Sequence, residues 1–194
     1  MLKKMMLLAV AAAAVLAVAA PAASANWTHS GAELKTNANV TFSGETSFAG
    51  ELGTVTCKQL TGAATLTGSS SHGTLQSFSV DSPTTNCEVG GVLGALCGTT
   101  SLESVHLEAG NVPTLTATTT NIKIDNVKWI YLFGSEPNPC LELNLRGDLT
   151  ATPNNPESIS SVAFSGTLED TTLEAQVALS GSLAASPAGT YGTK

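Results

Sequence analysis

The sequence predicts an all-β protein, an antiparallel β-sandwich or barrel-like domain whose carboxyl-terminal part is a three-stranded meander. Three observations support this class. Apolar and polar residues alternate strictly over long stretches, which is typical of half-buried strands. Thr and Val, whose stiff side chains suit a pleated sheet, are abundant. Short candidate strands follow one another at regular spacing with turn residues between them, as in sandwiches and barrels.

The amino-terminal segment has the pattern of a secretory signal peptide. Lys3 and Lys4 form a short basic head, an apolar stretch covers 5–20, and Ala23-Ser24-Ala25 is an A-x-A cleavage site. Residues 1–25 are therefore predicted to be the signal peptide and 26–194 a single secreted β domain, a length suited to one core. The alanine-rich leader is of bacterial type, and the predicted location is extracellular or in the cell envelope.

Candidate strands in the first two-thirds of the chain are short and bounded by turn residues. In the last of them, the apolar parity changes at Asp125-Asn126, which predicts a bulge or a tight turn at that point. The predicted strands are Asn39–Ser43, Thr54–Lys58, Ala63–Thr67, Leu75–Val80, Leu102–Glu108, Thr114–Thr119 and Ile122–Phe133.

The carboxyl-terminal third shows the clearest alternation. Apolar residues or glycines occupy every second position over 141–151, 162–168 and 173–183. The intervening segments 152–156 and 169–171 contain Pro, Asn and Asp, which favour turns. Three strands joined in order by short turns form an antiparallel meander.

Four cysteines lie in the predicted secreted domain: Cys57, Cys87, Cys97 and Cys140. An even number in an exported chain predicts two disulfides, with three possible connectivities. Cys87 and Cys97 flank a predicted Gly-rich loop, 88–96, which favours a local bridge between them and leaves Cys57 with Cys140. No C-x-x-C motif is present to indicate a zinc ribbon or a thioredoxin-type redox site.

The charge balance disfavours nucleic acid and anionic lipid as partners. The chain has 8 Lys and Arg against 15 Asp and Glu, a net charge of −7, and loss of Lys3 and Lys4 with the leader deepens it to −9. Beyond the leader no apolar run is long enough to cross a membrane, so no membrane insertion is expected after cleavage. Self-association and contact with cell-surface or matrix components remain the expected interactions.

No catalytic, cofactor-binding or metal-binding set is predicted, and the chain is not expected to be an enzyme. Neither a G-x-S-x-G elbow nor an H-E-x-x-H motif occurs. Ser104, His106 and Glu108 share one strand face, but their spacing predicts surface residues separated along solvent. The acidic cluster of Glu169-Asp170 with Glu174 lacks a calcium-loop pattern and is interpreted as a solvated turn.

Trp129, Tyr131 and Phe133 share one strand parity and allow two interpretations. Bordered by Ile130 and Leu132, such a stripe is more often part of a core. The alternative is a ligand platform on which sugar rings stack, which would make the protein a secreted ligand-binding or glycan-binding β module.

Several features resemble the small exported bacterial proteins grouped around the activator of alkane oxidation, a biofilm-associated surface protein type. These are the leader, Thr56-Cys57 followed by Leu60-Thr61-Gly62, the later separated cysteines, and the closing 179–183 strand; the Leu-Pro-Trp step of that group is absent. The resemblance implies a cell-surface or matrix role without catalytic residues. The resulting hypothesis is a secreted, non-enzymatic protein with a structural or adhesive role, with the ligand-binding module as the alternative.

Overall fold

The computed structural model of the protein describes residues 23–97, 102–134 and 139–194. In these segments the chain is built mainly of antiparallel strands, as the sequence predicts. The strands are β1 (Trp27–His29), β2 (Ala32–Glu33), β3 (Ala38–Gly50), β4 (Gly53–Leu66), β5 (His72–Val80), β6 (Cys87–Val89), β7 (Leu102–Leu107), β8 (Thr114–Ala117), β9 (Ile122–Phe133), β10 (Leu141–Pro153), β11 (Ser161–Asp170), β12 (Ala175–Ser186) and β13 (Tyr191–Thr193). Two short helices, α1 (Pro83–Asn86) and α2 (Gly91–Cys97), flank β6.

The main sheet closes into an eight-stranded antiparallel barrel. Strands β3, β4 and β5 pair in chain order, as do β9, β10, β11 and β12, and β12 pairs with β3 to complete the circle. Between β5 and β9 one strand position is shared by β7 and β8, which pair with different parts of the same neighbours. Of the two architectures that the sequence allows, the protein therefore adopts the barrel.

The two ends of the barrel differ. One end, here called the cap end, carries a small sheet in the order β13-β1-β2. Trp27 of this sheet is buried, and its indole Nε1 donates to the carbonyl of His72 over 2.8 Å. The opposite end, here called the disulfide end, carries α1, β6 and α2 together with the turn between β3 and β4. There the Leu93 amide donates to the carbonyl of Leu52 over 2.8 Å.

Bulges determine which side chains point inward. In β9 the pairing with β10 shifts between Gly147 and Leu149, where Asn126 adopts a left-handed φ of 61°. The predicted irregularity at Asp125-Asn126 is therefore confirmed. A similar shift in the pairing of β3 with β4 places Cys57 and Leu60, which are separated by an odd number of positions, on the same inner face. Each bulge keeps apolar residues inside on both of its sides.

The predicted strands largely match the observed ones, with three corrections. Thr54–Lys58 and Ala63–Thr67 are parts of one strand, β4, because the bulge between them bends the strand without ending it. Leu173 was expected in a strand but lies in the turn before β12, 40% exposed. The segment 88–96, interpreted as a loop, contains most of β6 and α2. The carboxyl-terminal meander β10-β11-β12 is confirmed.

All four cysteines are oxidised, but their predicted pairing is wrong. Cys57 bonds to Cys87, and Cys97 bonds to Cys140. The reason lies in the sheet: β6 pairs with β4 so that Cys57 and Cys87 are directly opposite each other, with 4.0 Å between their Cα atoms. Helix α2 then carries Cys97 away from Cys87 toward the start of β10. Both bridges lie at the disulfide end, and two disulfides fit an oxidising compartment.

Residues 1–22 of the predicted signal peptide lie outside the described residues, whereas its predicted cleavage site is part of the fold. Ala25 is 1% exposed, and its amide donates to the carbonyl of Ala117 over 3.2 Å. Beyond the site, Asn26 and Lys194 exchange two backbone hydrogen bonds of 2.9 Å each. Among the described residues, no helix combines the length and apolar character needed to cross a membrane.

We expect export to remove residues 1–25 before the barrel folds, because the folded chain covers Ala25. Amino-terminal sequencing of the exported protein should read Asn-Trp-Thr-His. Purified folded precursor should resist signal peptidase, whereas precursor held in urea and diluted into the reaction should be cut. A product that still begins at Met1 would contradict the predicted location.

Candidate binding sites in the barrel interior

The cap-end half of the barrel encloses a cavity of about 110 Å³. Trp27 and Ile159 cover it from the cap. Phe42, Phe78 and Phe164 line its inner part, where Phe78 packs against Trp129 with ring centroids 4.2 Å apart. The cavity is not sealed and reaches solvent past half-buried side chains. The remaining lining residues are Val40, Thr41, Ala64, Leu66, Leu75, Leu115, Ile122, Ile124, Val127, Leu149, Ala151, Val162, Leu183 and Ala185.

Small residues on the inner faces of the strands create this space. Ala64, Ala151 and Ala185 stand where larger apolar side chains would reach further toward the barrel axis. Gly62 and Gly181 lie under the rings of Phe42 and Phe164, and a Cβ at either position would collide with the ring above it. The two glycines let the rings lie flat against the wall, so that the cap-end cavity stays open above them.

The chemistry of the cap-end cavity is uniformly apolar. Thr41 is its one polar lining residue among those that the structure describes, and its side chain belongs to the exposed face of β3. Such a lining offers water no hydrogen-bond partners. The site can therefore hold a ligand through shape and dispersion, and it offers nothing to a charged or strongly polar molecule.

The aromatic stripe Trp129, Tyr131 and Phe133 lies inside the barrel. Each of these side chains is 0% exposed, so they belong to the core, and an open stacking platform is not formed. The Trp129 Nε1 and the Tyr131 hydroxyl have no hydrogen-bond partner within the described segments. Burial raises the pKa of the Tyr131 phenol far above its usual value; the nearby Thr46 hydroxyl opposes this rise but lacks the geometry of a hydrogen bond.

At the disulfide end a second pocket, of about 180 Å³, contains Asp170. The prediction of a solvated acidic turn is wrong for this residue, which is 0% exposed because it is the last inward position of β11. Its Oδ1 accepts a hydrogen bond of 2.9 Å from the Thr172 amide. Its Oδ2 is buried and has no partner among the described residues. The parity of Phe164 and Leu168 already indicates that 170 points inward.

The other polar residues singled out in the sequence are on the surface. His106 is exposed and Ser104 half-buried, as predicted. Glu108 is half-buried and its carboxylate forms ion pairs with Lys128 at 3.5 Å and Arg146 at 3.9 Å. Within the described part of the chain, no three His, Cys, Asp or Glu residues are grouped closely enough to hold a metal ion.

A shallow groove on the outer surface crosses β4, β3, β12, β11 and the end of β10. Hydroxyl groups dominate it, and the Oγ of Ser47 lies 3.3 Å from the Oγ1 of Thr56. Glu45 contributes a carboxylate. The other polar residues that line the groove are Thr46, Thr152, Ser165, Ser180 and Ser182.

Comparison with known proteins gives no indication of function, so the proposals below depend on the geometry of the sites. No family model, no curated protein and no solved structure matches this chain.

Proposed function

We propose that this protein is an exported binding protein that holds a small apolar molecule in the cap-end cavity. The observation that carries the proposal is a cavity of about 110 Å³ whose lining is apolar at every described residue except Thr41. Barrels of eight strands are wide enough to be filled by side chains or to hold one small ligand. Here the alanines at the cap end leave room, whereas the aromatic cluster around Trp129 fills the middle.

The size of the cavity defines the ligand class. A dry apolar cavity of roughly 150 Å³ in another protein takes up benzene or xenon. The cap-end cavity, at about 110 Å³, suits one small ring or a short hydrocarbon segment with its remainder directed toward the opening. With so few contacting atoms, a dissociation constant on the order of 0.1–1 mM is expected.

Export is part of the proposal. The A-x-A site after an apolar leader predicts secretion, and two disulfides fit an oxidising compartment. A protein outside the cytoplasm that carries a volatile or membrane-derived apolar molecule would need a covered site, because such molecules are poorly soluble in water. The proposed role is binding and involves no bond-breaking chemistry.

Filling the cavity should abolish ligand uptake. In Ala151→Leu the three added carbon atoms occupy part of the cavity, because Ala151 is 4% exposed and lines it. We expect benzene or cyclohexane, supplied as vapour, to shift the methyl NMR signals of Leu115, Ile122 and Leu149 in the wild type. The Ala151→Leu variant should show at least a tenfold weaker response.

The matched control is Ala178→Leu, the same change at an exposed position on the outer face of β12. It should bind benzene within twofold of the wild type. Equal uptake by the wild type and Ala151→Leu, or shifts confined to surface residues, would contradict the proposal.

A structural or adhesive role at the cell surface or in an extracellular matrix is the second candidate. It is favoured by the hydroxyl-rich outer groove beside Ser47 and Thr56, which offers many weak hydrogen bonds to polysaccharide or to another protein. The resemblance to biofilm-associated surface proteins supports the same role. A tagged copy should then partition into envelope or matrix fractions, and Ser47→Ala with Thr56→Val should release it into the medium; a wild-type copy found wholly in the medium would argue against this candidate.

A further inference from the structure

The disulfide-end pocket combines a buried carboxylate with apolar walls. Asp170 is 0% exposed, and its Oδ2 has no hydrogen-bond partner among the residues that the structure describes. The side chain is held in place through Oδ1, which accepts from the Thr172 amide over 2.9 Å. The walls of this pocket of about 180 Å³ come from Phe48, Leu52, Leu143, Leu173 and Val177.

An unpartnered carboxylate oxygen in such surroundings is costly to bury and therefore indicates a missing partner. Removing a carboxylate from water is strongly unfavourable unless a donor or a cation replaces the lost hydration. No Lys, Arg or His is found among the lining residues, and the other acidic residue there, Glu51, is exposed at the rim. The pocket thus has negative charge and no counter-charge supplied by the described part of the chain.

We propose that the disulfide-end pocket binds a small organic ammonium ion: the Asp170 side chain turns its buried Oδ2 toward the pocket to meet the ammonium group, and the apolar body packs against Phe48, Leu143 and Val177. An ammonium group donates charge-assisted hydrogen bonds, which are stronger than neutral ones. A metal ion fits poorly, because calcium requires six to eight oxygen ligands and the walls here are hydrocarbon. An anion would be repelled by Asp170 and Glu51. This site is separate from the cap-end cavity and goes beyond the function proposed above.

Titration with n-butylammonium tests the proposal on the oxidised protein. We expect saturable shifts of the Leu143 and Val177 methyl NMR signals and a rise in the unfolding midpoint. 1-Butanol, which has the same body without the charge, should bind at least tenfold more weakly, and butyrate should cause no shift. Asp170→Asn keeps an oxygen for the Thr172 amide but removes the charge, and it should weaken butylammonium binding at least tenfold.

Glu174→Gln provides the matched control, because Glu174 is an exposed carboxylate in the same hairpin. It should retain affinity within twofold. If Asp170→Asn fails to fold, Ala175→Leu narrows the pocket beside its cross-strand neighbour Asp170 while keeping the carboxylate, and it should weaken binding by the same factor. Unchanged affinity in Asp170→Asn or Ala175→Leu, or equal binding of 1-butanol, would overturn the proposal. Ala151→Leu, which fills the cap-end cavity, should leave butylammonium binding unchanged, so the two sites can fail independently.

Discussion

Removal of the Cys57–Cys87 disulfide should lower the free energy of unfolding by about 4–5 kcal/mol, the largest effect expected for any single bridge. The bridge spans a sequence separation of 30, and the chain-entropy model assigns such a loop about 4 kcal/mol. Cys57 and Cys87 are 0% and 7% exposed, so replacing both with Ala also leaves a void in the core, which costs on the order of 1 kcal/mol.

The Cys97–Cys140 bridge is the matched comparison. Its separation of 43 gives nearly the same entropic contribution, but Cys97 is half-buried and Cys140 exposed, so no core void is added. Urea unfolding should therefore rank Cys57→Ala/Cys87→Ala below Cys97→Ala/Cys140→Ala in stability. Mild reduction of the native protein should release the thiols of Cys97 and Cys140 first. The reverse order, or a peptide map that links Cys87 to Cys97, would contradict the pairing.

The disulfide pairing could not be predicted from the sequence because it depends on a contact between distant strands. The spacing of Cys87 and Cys97 suggests a local bridge. In the structure, however, β6 lies beside the start of β4 and pairs with it. The three residues of β6 are too few to show an alternation of their own. The connectivity is decided by the register of β4 and β6, which places Cys57 opposite Cys87. The register between distant strands cannot be read from the local spacing of cysteines.

Local alternation, by contrast, was sufficient for the meander and for the bulge at Asp125-Asn126. Every inward residue of β10 follows the predicted parity, from Leu143 to Ala151. Closure of the barrel was left open between two architectures because it depends on β12 pairing with β3, near the opposite end of the chain. Alternation reports which face of a strand is buried, and it does not report which strand lies beside it.

The candidate sites were only partly visible in the sequence. The parity of β11 places position 170 inside, but the acidic residues around Asp170 favour a solvated turn when composition alone is considered. The cap-end cavity was not predictable, because its lining comes from many strands and depends on alanines at positions such as 64 and 151 meeting across the barrel. Of the two interpretations of the aromatic stripe, the one that the sequence favours, a place in the core, agrees with its burial.

Trp129→Ala should lower the free energy of unfolding by about 3–5 kcal/mol, the range for deleting a large buried aromatic side chain. Trp129 is 0% exposed and lies in the aromatic cluster, with ring centroids 4.2 Å from Phe78 and 5.7 Å from Tyr131. Its Nε1 has no hydrogen-bond partner in the described residues, so no hydrogen bond is lost with the indole and the cost arises from packing. Ile130→Ala, one position along the same strand but on the outer face, should cost only about 1 kcal/mol because Ile130 is half-buried.

Fluorescence tests the same burial without destabilising the core at Trp129. The protein has two tryptophans, so Trp27→Phe isolates the emission of Trp129. We expect a blue-shifted emission that iodide does not quench, because the indole is enclosed by Phe78 and Tyr131. A quenchable, red-shifted emission, or equal destabilisation by Trp129→Ala and Ile130→Ala, would mean that the stripe faces solvent. The platform for stacked sugar rings would then replace the barrel interior as the place to search for a ligand.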